Sequence, residues 1–298
     1  MANSKLKIGF IGQGWIGKNY ADDFENRGFD VTRYSLEEPY VRNKEKIKDC
    51  DIVFIAVPTP TIKNVFNDSY VKDALKNIGK GKTAVIKSTI LPGTTEKFQK
   101  ENPEIFVMHS PEFLVEATAA YDAAHPSRNI IGIPVDNEEY RKKAEEVMDV
   151  LPESPFKLIC PAKEAELIKY GSNVFLYTKV VYANLLHDLA EELGCDWKNI
   201  RDMIAADARI GKSHMEPIHQ SGRGAGGHCF IKDYEAFFNL YKEIVGDELG
   251  EKFFESLRNK NLDLLKKSNK DLELLEEVYG EITNNQHANN QFSITDGF

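Results

Sequence analysis

The sequence predicts an α/β protein in which a doubly wound parallel sheet comes first and a mostly α-helical domain built on one long helix follows. Up to residue 160, short apolar runs rich in β-branched residues alternate with helix-like segments, which is typical of a parallel sheet covered on both faces. From Pro161 to Leu193 the apolar residues instead recur at helical spacing, and Gly194 follows. We therefore expect a sheet domain at residues 1–160, a helical domain at 161–280 and a polar tail at 281–298.

The elements are assigned in chain order from these patterns. Seven apolar runs are predicted to be strands, at residues 7–11, 30–34, 51–57, 83–87, 105–108, 129–133 and 156–159. After the long helix, Trp197–Ala205 has helical spacing, residues 210–228 are rich in Gly, His and Ser, and helix-like segments run from 233 to 279. Residues 281–298 are rich in Asn and Gln, which is typical of a frayed tail.

Composition and charge exclude several classes of protein. The chain has 298 residues, 42% of them hydrophobic, and 38 Lys and Arg against 47 Asp and Glu, a net charge of −9. Such a charge disfavours binding to nucleic acid or to an anionic membrane. No apolar stretch is long enough to span a membrane. Because the four cysteines are far apart in the sequence, we expect free thiols, no bound metal and a cytoplasmic location.

A glycine-rich turn lies between the first predicted strand and the first helix. Gly12, Gly14 and Gly17 have the spacing Gly-x-Gly-x-x-Gly, and Trp15 and Ile16 lie between the last two. In this pattern the first glycine permits a tight turn, the second lets a pyrophosphate approach the backbone, and the third allows close packing of helix and strand. The turn predicts a Rossmann-type dinucleotide site, and the alternative is a tight turn that binds nothing.

The end of the second strand bears on the choice between NAD and NADP. An acidic residue that binds the adenosine ribose normally stands there. This chain has Ser35 instead, with Arg33 before it and Glu37 after it. A serine close to an arginine tolerates a 2′-phosphate better than an aspartate does, whereas Glu37 can replace the missing acid. The choice between NAD and NADP therefore stays open on these residues, and an Arg33 that faces water is the alternative interpretation of that residue.

One cysteine follows a run of glycines. Residues 224–227, Gly-Ala-Gly-Gly, come shortly before Cys229, and Lys232 and Asp233 follow it. A thiolate on a loop directly before a helix is stabilised by backbone N–H groups and by the helix dipole, which makes a cysteine reactive. We therefore predict a reactive Cys229, and small buried thiols at Cys50, Cys160 and Cys195.

Further short motifs follow one another along the chain. They are Val57-Pro58-Thr59-Pro60, Lys87-Ser88-Thr89 with Pro92-Gly93, Ser110-Pro111-Glu112-Phe113-Leu114-Val115-Glu116 with Pro126-Ser127-Arg128, Ala165-Glu166-Leu167-Ile168-Lys169 with Asn173, and Arg209-Ile210-Gly211. Together with the glycine-rich turn and the Cys229 segment, these motifs resemble, in the same order, those of the UDP-glucose/GDP-mannose dehydrogenase family. Members of that family oxidise the primary alcohol of a sugar nucleotide to a uronic acid.

The resemblance implies a role for each matching residue. The catalytic residues would be Cys229, Lys169, Asn173, Asp233, Glu112 and Thr89. The cofactor would contact Gly12, Gly14, Trp15, Ile16, Gly17, Ser35, Val57, Pro58, Thr59, Thr89 and Glu116. The nucleotide-sugar substrate would contact Phe113, Leu114, Glu116, Lys169, Asn173, Gly226 and, from a neighbouring subunit, Arg209.

The implied reaction is a four-electron oxidation of UDP-glucose to UDP-glucuronate with two molecules of NAD. A first hydride transfer gives an aldehyde, and Lys169, Asn173 or a bound water handles the proton and the developing charge. Cys229 then forms a thiohemiacetal, which loses a second hydride and becomes a thioester. Water ordered by the acidic or hydroxyl side chains of the catalytic set finally hydrolyses the thioester.

Two pairs in this set also have an ordinary structural interpretation. Lys169 and Asn173 are four residues apart, so they share one helix face and can jointly hold an oxyanion or a water. Without the resemblance, that spacing is typical of a solvated helix face. Glu112 and Glu116 have the same spacing and could form an acidic helical turn.

The departures from the family concern the substrate. The family continues past its central helix into a second Rossmann-like domain that holds the substrate nucleotide, and we expect this chain to lack it. His228 stands where the family usually has Ser, Ile231 where it has Pro and Ala117 where it has Gly. Two alternatives stay open: a two-electron dehydrogenase of a smaller hydroxy acid, against which Cys229 argues, and a non-catalytic cofactor-binding module.

The long helix also predicts an oligomer. It includes Phe175, Tyr177, Val181, Tyr182 and Leu185, which is more apolar surface than one sheet domain covers. As in the family, we expect a homodimer formed through this helix, with one protomer's arginine of the Arg-Ile-Gly motif acting at its partner's substrate. Core packing within one chain is the alternative.

Overall fold

The computed structural model describes residues 6–62 and 65–280. The strands are β1 (Lys7–Ile11), β2 (Asp30–Tyr34), β3 (Ile52–Ile55), β4 (Thr61–Ile62), β5 (Val65–Phe66), β6 (Thr83–Ile86), β7 (Phe106–His109), β8 (Asn129–Ile133), β9 (Lys157–Pro161), β10 (Ile218–His219) and β11 (Gly222–Arg223). The helices are α1 (Trp15–Asn26), α2 (Ser69–Leu75), α3 (Thr94–Glu101), α4 (Ala119–Ala124), α5 (Glu138–Val150), α6 (Ala162–Glu192), α7 (Trp197–Ala205), α8 (Gly227–Ile244), α9 (Glu248–Lys267) and α10 (Leu272–Tyr279). Short 3-10 helices span Val41–Asp49 and Glu116–Thr118. The predicted α/β class is confirmed, and the predicted tail at 281–298 lies outside the described residues.

The main sheet has seven strands in the order β2-β1-β3-β6-β7-β8-β9. Its pairings are parallel except that of β7 with β8, which is antiparallel and joins His109 to Gly132. From β1 the chain runs to β2 on one side and then crosses to β3 on the other, so the order reverses between β1 and β3. Ligands bind outside the carboxyl ends of strands at such a point. The glycine-rich turn directly follows β1 and therefore lies at this position.

Two apolar layers lie on the two faces of the sheet, because alternate residues of its central strands point to opposite sides. Ile52 and Phe54 of β3 belong to one core, in which the ring of Phe54 stacks on Phe10 at 5.1 Å between centroids. Val53 and Ile55 belong to the other. All four residues of β3 are buried, which explains why this strand has a continuous apolar run in the sequence.

Helix α6 connects the sheet to the helical region. Near its beginning, Ala165 packs so closely on β8 that a Cβ at Gly132 would overlap it. Farther along, Tyr177 stacks on Tyr234 of α8 at 4.0 Å between ring centroids. Gly194, which follows the helix, has a left-handed φ of 68°, as a helix-ending glycine does. The single helix therefore positions residues of its own first half against the sheet and against α8.

The apolar residues of α6 divide between two faces. Tyr177 and Val181 are buried against α8 within the chain. Phe175, Tyr182 and Leu185 are exposed, by 69%, 53% and 47% respectively. Packing within one chain therefore describes Tyr177 and Val181, and the homodimer stays a prediction for the exposed residues.

Three cysteines were expected to be small buried thiols. Cys50 and Cys160 are buried, and burial raises the pKa of Cys160 to about 11, which makes it a poor nucleophile. The prediction for Cys195 is wrong, because it is exposed in the short turn between α6 and α7. Among the helices of the described residues, none combines the length and the apolar character that a membrane crossing requires.

Candidate active site

The glycine-rich turn has the geometry that its spacing predicts. Gly12 has a φ of 92°, and a Cβ there would overlap the carbonyl oxygen of Ala56. A Cβ at Gly17 would overlap the carbonyl oxygen of Gly12, so α1 approaches the turn too closely for any side chain. Gly14 precedes the first residue of α1, and no atom of the described residues lies within 4 Å of the position that a Cβ would take there. Open space at a helix N-terminus suits a pyrophosphate, so these residues fit a dinucleotide. Trp15 is exposed, and Ile16 is half-buried.

At the ribose end of this site, the contacts of Arg33 agree with neither interpretation of that residue. Its side chain is only 8% exposed and forms ion pairs with Asp22 and Glu25 of α1, each at 2.7 Å. It therefore neither faces water nor offers a free cation to a 2′-phosphate. Ser35 is half-buried and donates a hydrogen bond to the carbonyl of Glu37 at 2.9 Å, while Glu37 itself is exposed.

The loops that follow β3 and β6 are joined by side-chain hydrogen bonds. Ser88 Oγ accepts from Val57 N at 3.0 Å and donates to Val57 O at 2.7 Å. The buried Thr59 donates a hydrogen bond to the carbonyl of Thr89 at 2.8 Å. Pro58, which lies between Val57 and Thr59 in the sequence, is exposed. The two motifs therefore form one unit at the carboxyl edge of the sheet, beside the glycine-rich turn.

Helix α6 holds the segment after Thr89. The buried carboxylate of Glu166 accepts hydrogen bonds from Gly93 N at 2.6 Å and from Thr95 N at 2.7 Å. Burial raises the pKa of Glu166, and these hydrogen bonds oppose that effect. Because Glu166 precedes Lys169 by one helical turn, the β6 loop is fixed relative to Lys169.

Glu112 does not lie in a helical turn. Residues 110–115 have no helical structure, and Glu116 begins a 3-10 helix and is exposed, whereas Glu112 is 4% exposed. One oxygen of Glu112 accepts hydrogen bonds from Phe113 N at 2.5 Å and from Leu114 N at 2.7 Å. The interpretation as an acidic helical turn is therefore wrong, and the carboxylate stabilises a bend in its own segment. The half-buried ring of Phe113 stacks against the Arg128 guanidinium, 3.6 Å from the ring centroid.

Lys169 and Asn173 bring α6 to this segment and to α8. The Lys169 ammonium, 9% exposed, donates to the carbonyl of Glu112 at 2.5 Å. Asn173, one turn later, donates to the buried carboxylate of Asp233 at 2.6 Å. The other oxygen of Asp233 is paired with Lys232. The interpretation of Lys169 and Asn173 as a solvated face is therefore wrong.

Cys229 lies in the first turn of α8, not in a loop before it, because the helix begins at Gly227. Its thiol is exposed. Asp233 follows Cys229 by one helical turn, so the two lie on the same face of α8. A series of contacts thus runs from the Cys229 face of α8 to Glu112. Its two hydrogen bonds join Asp233 to Asn173 and Lys169 to Glu112, and one turn of α6 separates them.

Four residues far along the chain hold the Cys229 segment, and sequence reasoning missed them. Asn261 forms two hydrogen bonds with the backbone of Ala225, accepting at 2.7 Å and donating at 2.9 Å. The buried Lys270 ammonium donates to three carbonyls, those of His219, Gly222 and Gly224.

Asp271 accepts from Gly227 N at 2.7 Å and fills the space where a Cβ of Gly226 would lie. Ser268 accepts from Arg223 N at 3.0 Å. Nothing near the glycines in the sequence indicates these contacts.

Arg209 is outside this series of contacts. Its side chain is 88% exposed and pairs with Asp207 in the same turn. Lys179 of α6 donates to the carbonyls of Ile210 at 2.8 Å and Gly211 at 3.1 Å, which fixes the turn. The structure therefore presents Arg209 on the surface of its own chain.

The fold and the site together define a class of protein. A mostly parallel sheet with a glycine-rich turn at its switch point is a Rossmann-type dinucleotide-binding fold. Here a helix leaving that sheet joins a lysine to the buried Glu112 segment and an asparagine to an aspartate that lies one helical turn after an exposed cysteine. The NAD binding domain of the UDP-glucose/GDP-mannose dehydrogenase family matches residues 39–151, and the central domain of that family matches residues 163–262. The chain belongs to the UDP-glucose/GDP-mannose dehydrogenase family.

Relatives and solved structures agree with this assignment. The chain is 30% identical over 278 residues to UDP-glucose 6-dehydrogenase of Streptococcus pneumoniae, covering 80% of this chain and 70% of that protein. It is 37% identical over 208 residues to the enzyme of the same name from Rickettsia bellii, covering 66% of this chain and 46% of that protein. The structure is similar to that of a UDP-glucose dehydrogenase from Pyrobaculum islandicum, with a TM-score of 0.75, 27% identity, and coverage of 94% of this chain and 73% of that one.

A second structural similarity concerns the fold alone. The 3-hydroxyisobutyrate dehydrogenase of Mycobacterium tuberculosis has a TM-score of 0.68 at 14% identity, over 88% of this chain and 94% of that one. The chain spans between 30% and 70% of the length of similar curated proteins.

Proposed function

We propose that the chain is an NAD-dependent nucleotide-sugar dehydrogenase that oxidises UDP-glucose to UDP-glucuronate. The observation that supports this most directly is the series of contacts from Glu112 through Lys169, Asn173 and Asp233 to the Cys229 face of α8. An aldehyde oxidation through a thioester needs an exposed thiol next to groups that stabilise an oxyanion and activate water. These residues provide that set on two helices and one buried segment.

Each residue has a task in the proposed reaction. The nicotinamide cofactor, when bound, supplies the hydride acceptor for both oxidation steps. Cys229 Sγ attacks the aldehyde carbon, and the C–S bond forms as the carbonyl π electrons move onto oxygen. Lys169 and Asn173 stabilise that oxygen with N–H donors. The thiohemiacetal carbon would then lose its hydride to the bound cofactor and its hydroxyl group would lose a proton, which gives the thioester. Water attacks the thioester carbon, the C–S bond breaks, and Cys229 leaves as a thiolate that takes a proton. Glu112, Thr89 and Asp233 are the groups that order this water.

The structure around the ribose end supports NAD over NADP. The cation nearest to Ser35 along β2 is Arg33, and two carboxylates already neutralise it. A 2′-phosphate placed there would meet no free cation from this residue and would lie near the exposed carboxylate of Glu37.

The composition of the chain supports the cytoplasm as its compartment.

The experiment that tests this function follows cofactor reduction at 340 nm with the purified full chain. NAD and NADP are compared with UDP-glucose, GDP-mannose and other nucleotide sugars. We expect two NADH per UDP-glucose and much slower reduction of NADP. One NADH per substrate would favour the two-electron alternative. Cofactor binding without any reduction across the set would favour the non-catalytic module.

We also infer that the exposed face of α6 forms a homodimer. Phe175 is 69% exposed in the middle of this helix, and Tyr182 and Leu185 extend the same apolar surface. We expect the wild-type chain to be a dimer by light scattering, and Phe175→Asp to weaken dimerisation by about 100-fold or more, because a buried interface cannot hold an unpaired charge. Val135→Asp, at a residue 47% exposed before α5, is the matched control. A monomeric, fully active wild-type chain would contradict both the dimer and a role of Arg209 across it.

A further inference from the structure

Lys87 is a buried cation that the proposed reaction does not use. It directly follows β6 and precedes Ser88 and Thr89, and its side chain is 3% exposed. Transfer of an ammonium from water into a protein interior is unfavourable unless hydrogen bonds and an opposite charge compensate for it. The groups around Lys87 therefore indicate why it is charged there.

The nearest opposite charge is Glu112. The Lys87 ammonium lies 3.5 Å from Glu112 Oε2 and 3.3 Å from Ser110 Oγ. It also lies 4.3 Å from the centroid of the Tyr20 ring, which belongs to α1. Within the described residues Glu112 Oε2 has no hydrogen bond, so the ion pair with Lys87 is the interaction that compensates this oxygen. Burial lowers the pKa of Lys87, and the Glu112 charge opposes that effect.

Glu112 connects Lys87 to the proposed site. Its other oxygen holds the bend at Phe113 and Leu114, and its backbone carbonyl accepts from Lys169. One buried residue is thus in contact with two lysines, through its carboxylate on one side and its carbonyl on the other. A rotation of the carboxylate would release the bend and move the carbonyl away from the Lys169 ammonium.

Two lysines lie near Glu112, and Lys87 is the one whose ammonium is paired with the carboxylate, whereas Lys169 is bonded to the carbonyl. His109 is fully buried, and burial together with the positive charge of Lys87 lowers its pKa to about 3, so it is neutral. Burial and the Glu112 charge raise the pKa of Tyr20, which is neutral too. The cavity beside the pair, about 230 Å³ in volume, is lined in addition by Asp122, His125 and Arg128. The Asp122 carboxylate accepts hydrogen bonds from Val115 N and Thr118 Oγ1, and the Arg128 guanidinium stacks on the ring of Phe113.

We propose that Lys87 is a positioning residue whose ammonium orients the Glu112 carboxylate, and so keeps the Glu112 carbonyl in contact with Lys169. The structural part of this proposal stands on the geometry of the pair. Its consequence for turnover rests on the proposed function. The contact with Tyr20 extends the arrangement to α1, the helix that begins at the dinucleotide turn.

The test is a double-mutant cycle with Lys87→Met, Glu112→Gln and the combined variant, measured by thermal unfolding at pH 5 and pH 8. Lys87→Met leaves an ionised carboxylate buried without its counter-charge, so we expect the unfolding midpoint to fall by about 10 °C at pH 8. The unfolded state ionises its carboxyl freely while the variant's folded state does so unfavourably, so stability is lost as pH rises and the fall is smaller at pH 5. The combined variant, a neutral pair, is expected to regain most of the midpoint at pH 8.

The activity of the same variants separates positioning from simple stability. We expect Lys87→Met to reduce the turnover number by about 100-fold with little change in KM for the nucleotide sugar, and the combined variant to stay inactive although it folds. Lys82→Met is the matched control, because Lys82 lies at the other end of β6 and forms a partly exposed pair with Asp51. That variant should shift the midpoint by no more than about 2 °C at either pH.

Some results would overturn the proposal. They are a pH-independent loss of stability in Lys87→Met, no recovery in the combined variant, or normal turnover of Lys87→Met. Because the unfolding measurements need no substrate, they test the ion pair even if the chain oxidises no nucleotide sugar.

Discussion

Replacing Cys229 by alanine is expected to stop production of the uronic acid almost completely. Without the thiol no covalent intermediate can form, so the second oxidation loses its substrate, and the rate of acid formation should fall by about 10³-fold or more. The fold should not change, because the side chain is exposed in the first turn of α8. The measurement is the number of cofactor molecules reduced per sugar, together with the sugar product identified by mass spectrometry.

The chain offers a matched control for this experiment. Cys195 is the other exposed cysteine, and it lies in the turn after α6, away from the series of contacts around Lys169. Cys195→Ala should keep two cofactors per sugar at the wild-type rate. Acid formation by Cys229→Ala at a rate near that of wild type would contradict the thioester mechanism, whatever the substrate. Loss of activity in Cys195→Ala alone would identify Cys195, not Cys229, as the reactive thiol.

The fold was predictable from the sequence because its signals are local. Strand β3 is apolar at every position since both faces of the sheet are covered, and Gly194 ends α6 in a left-handed conformation. The beginning of α8 was not predictable in this way. Two adjacent glycines favour a loop, but here Asp271, far along the chain, accepts the hydrogen bond of Gly227 N and lets the helix begin at that residue.

The candidate site likewise has one part that the sequence predicts and one part that it does not. The motif residues could be found because their types and spacing can be recognised in the sequence. Their supporting contacts could not be found, because they join distant segments: Lys87 with Glu112, and Lys270 with the backbone of the cysteine segment. The pairing of Arg33 with Asp22 and Glu25 is a further example, since a charge beside a predicted ribose site indicates a phosphate contact until its partners are known.

The glycines of the dinucleotide turn allow folding and cofactor binding to be separated. Gly17→Ala is expected to destabilise the protein severely, by about 3 kcal/mol or more, because its Cβ would overlap the carbonyl oxygen of Gly12 and neither backbone can move freely. Gly14→Ala should leave the free energy of unfolding unchanged. At Gly14 the backbone is extended, with φ −75°, and no atom lies within 4 Å of the new methyl group.

Among the variants that fold, the affinity for NADH, measured by fluorescence titration, should fall most in Gly14→Ala, the variant whose stability does not change. The methyl group of Gly14→Ala would occupy the space that a pyrophosphate needs at the N-terminus of α1, so its Kd should rise by about tenfold or more. Gly171→Ala, at an equally unobstructed glycine inside α6, controls for the substitution itself and should change neither quantity by much. If Gly14→Ala binds NADH as tightly as wild type, the open space before α1 is not the pyrophosphate site, and the glycine spacing reflects only the close packing of Gly12 and Gly17.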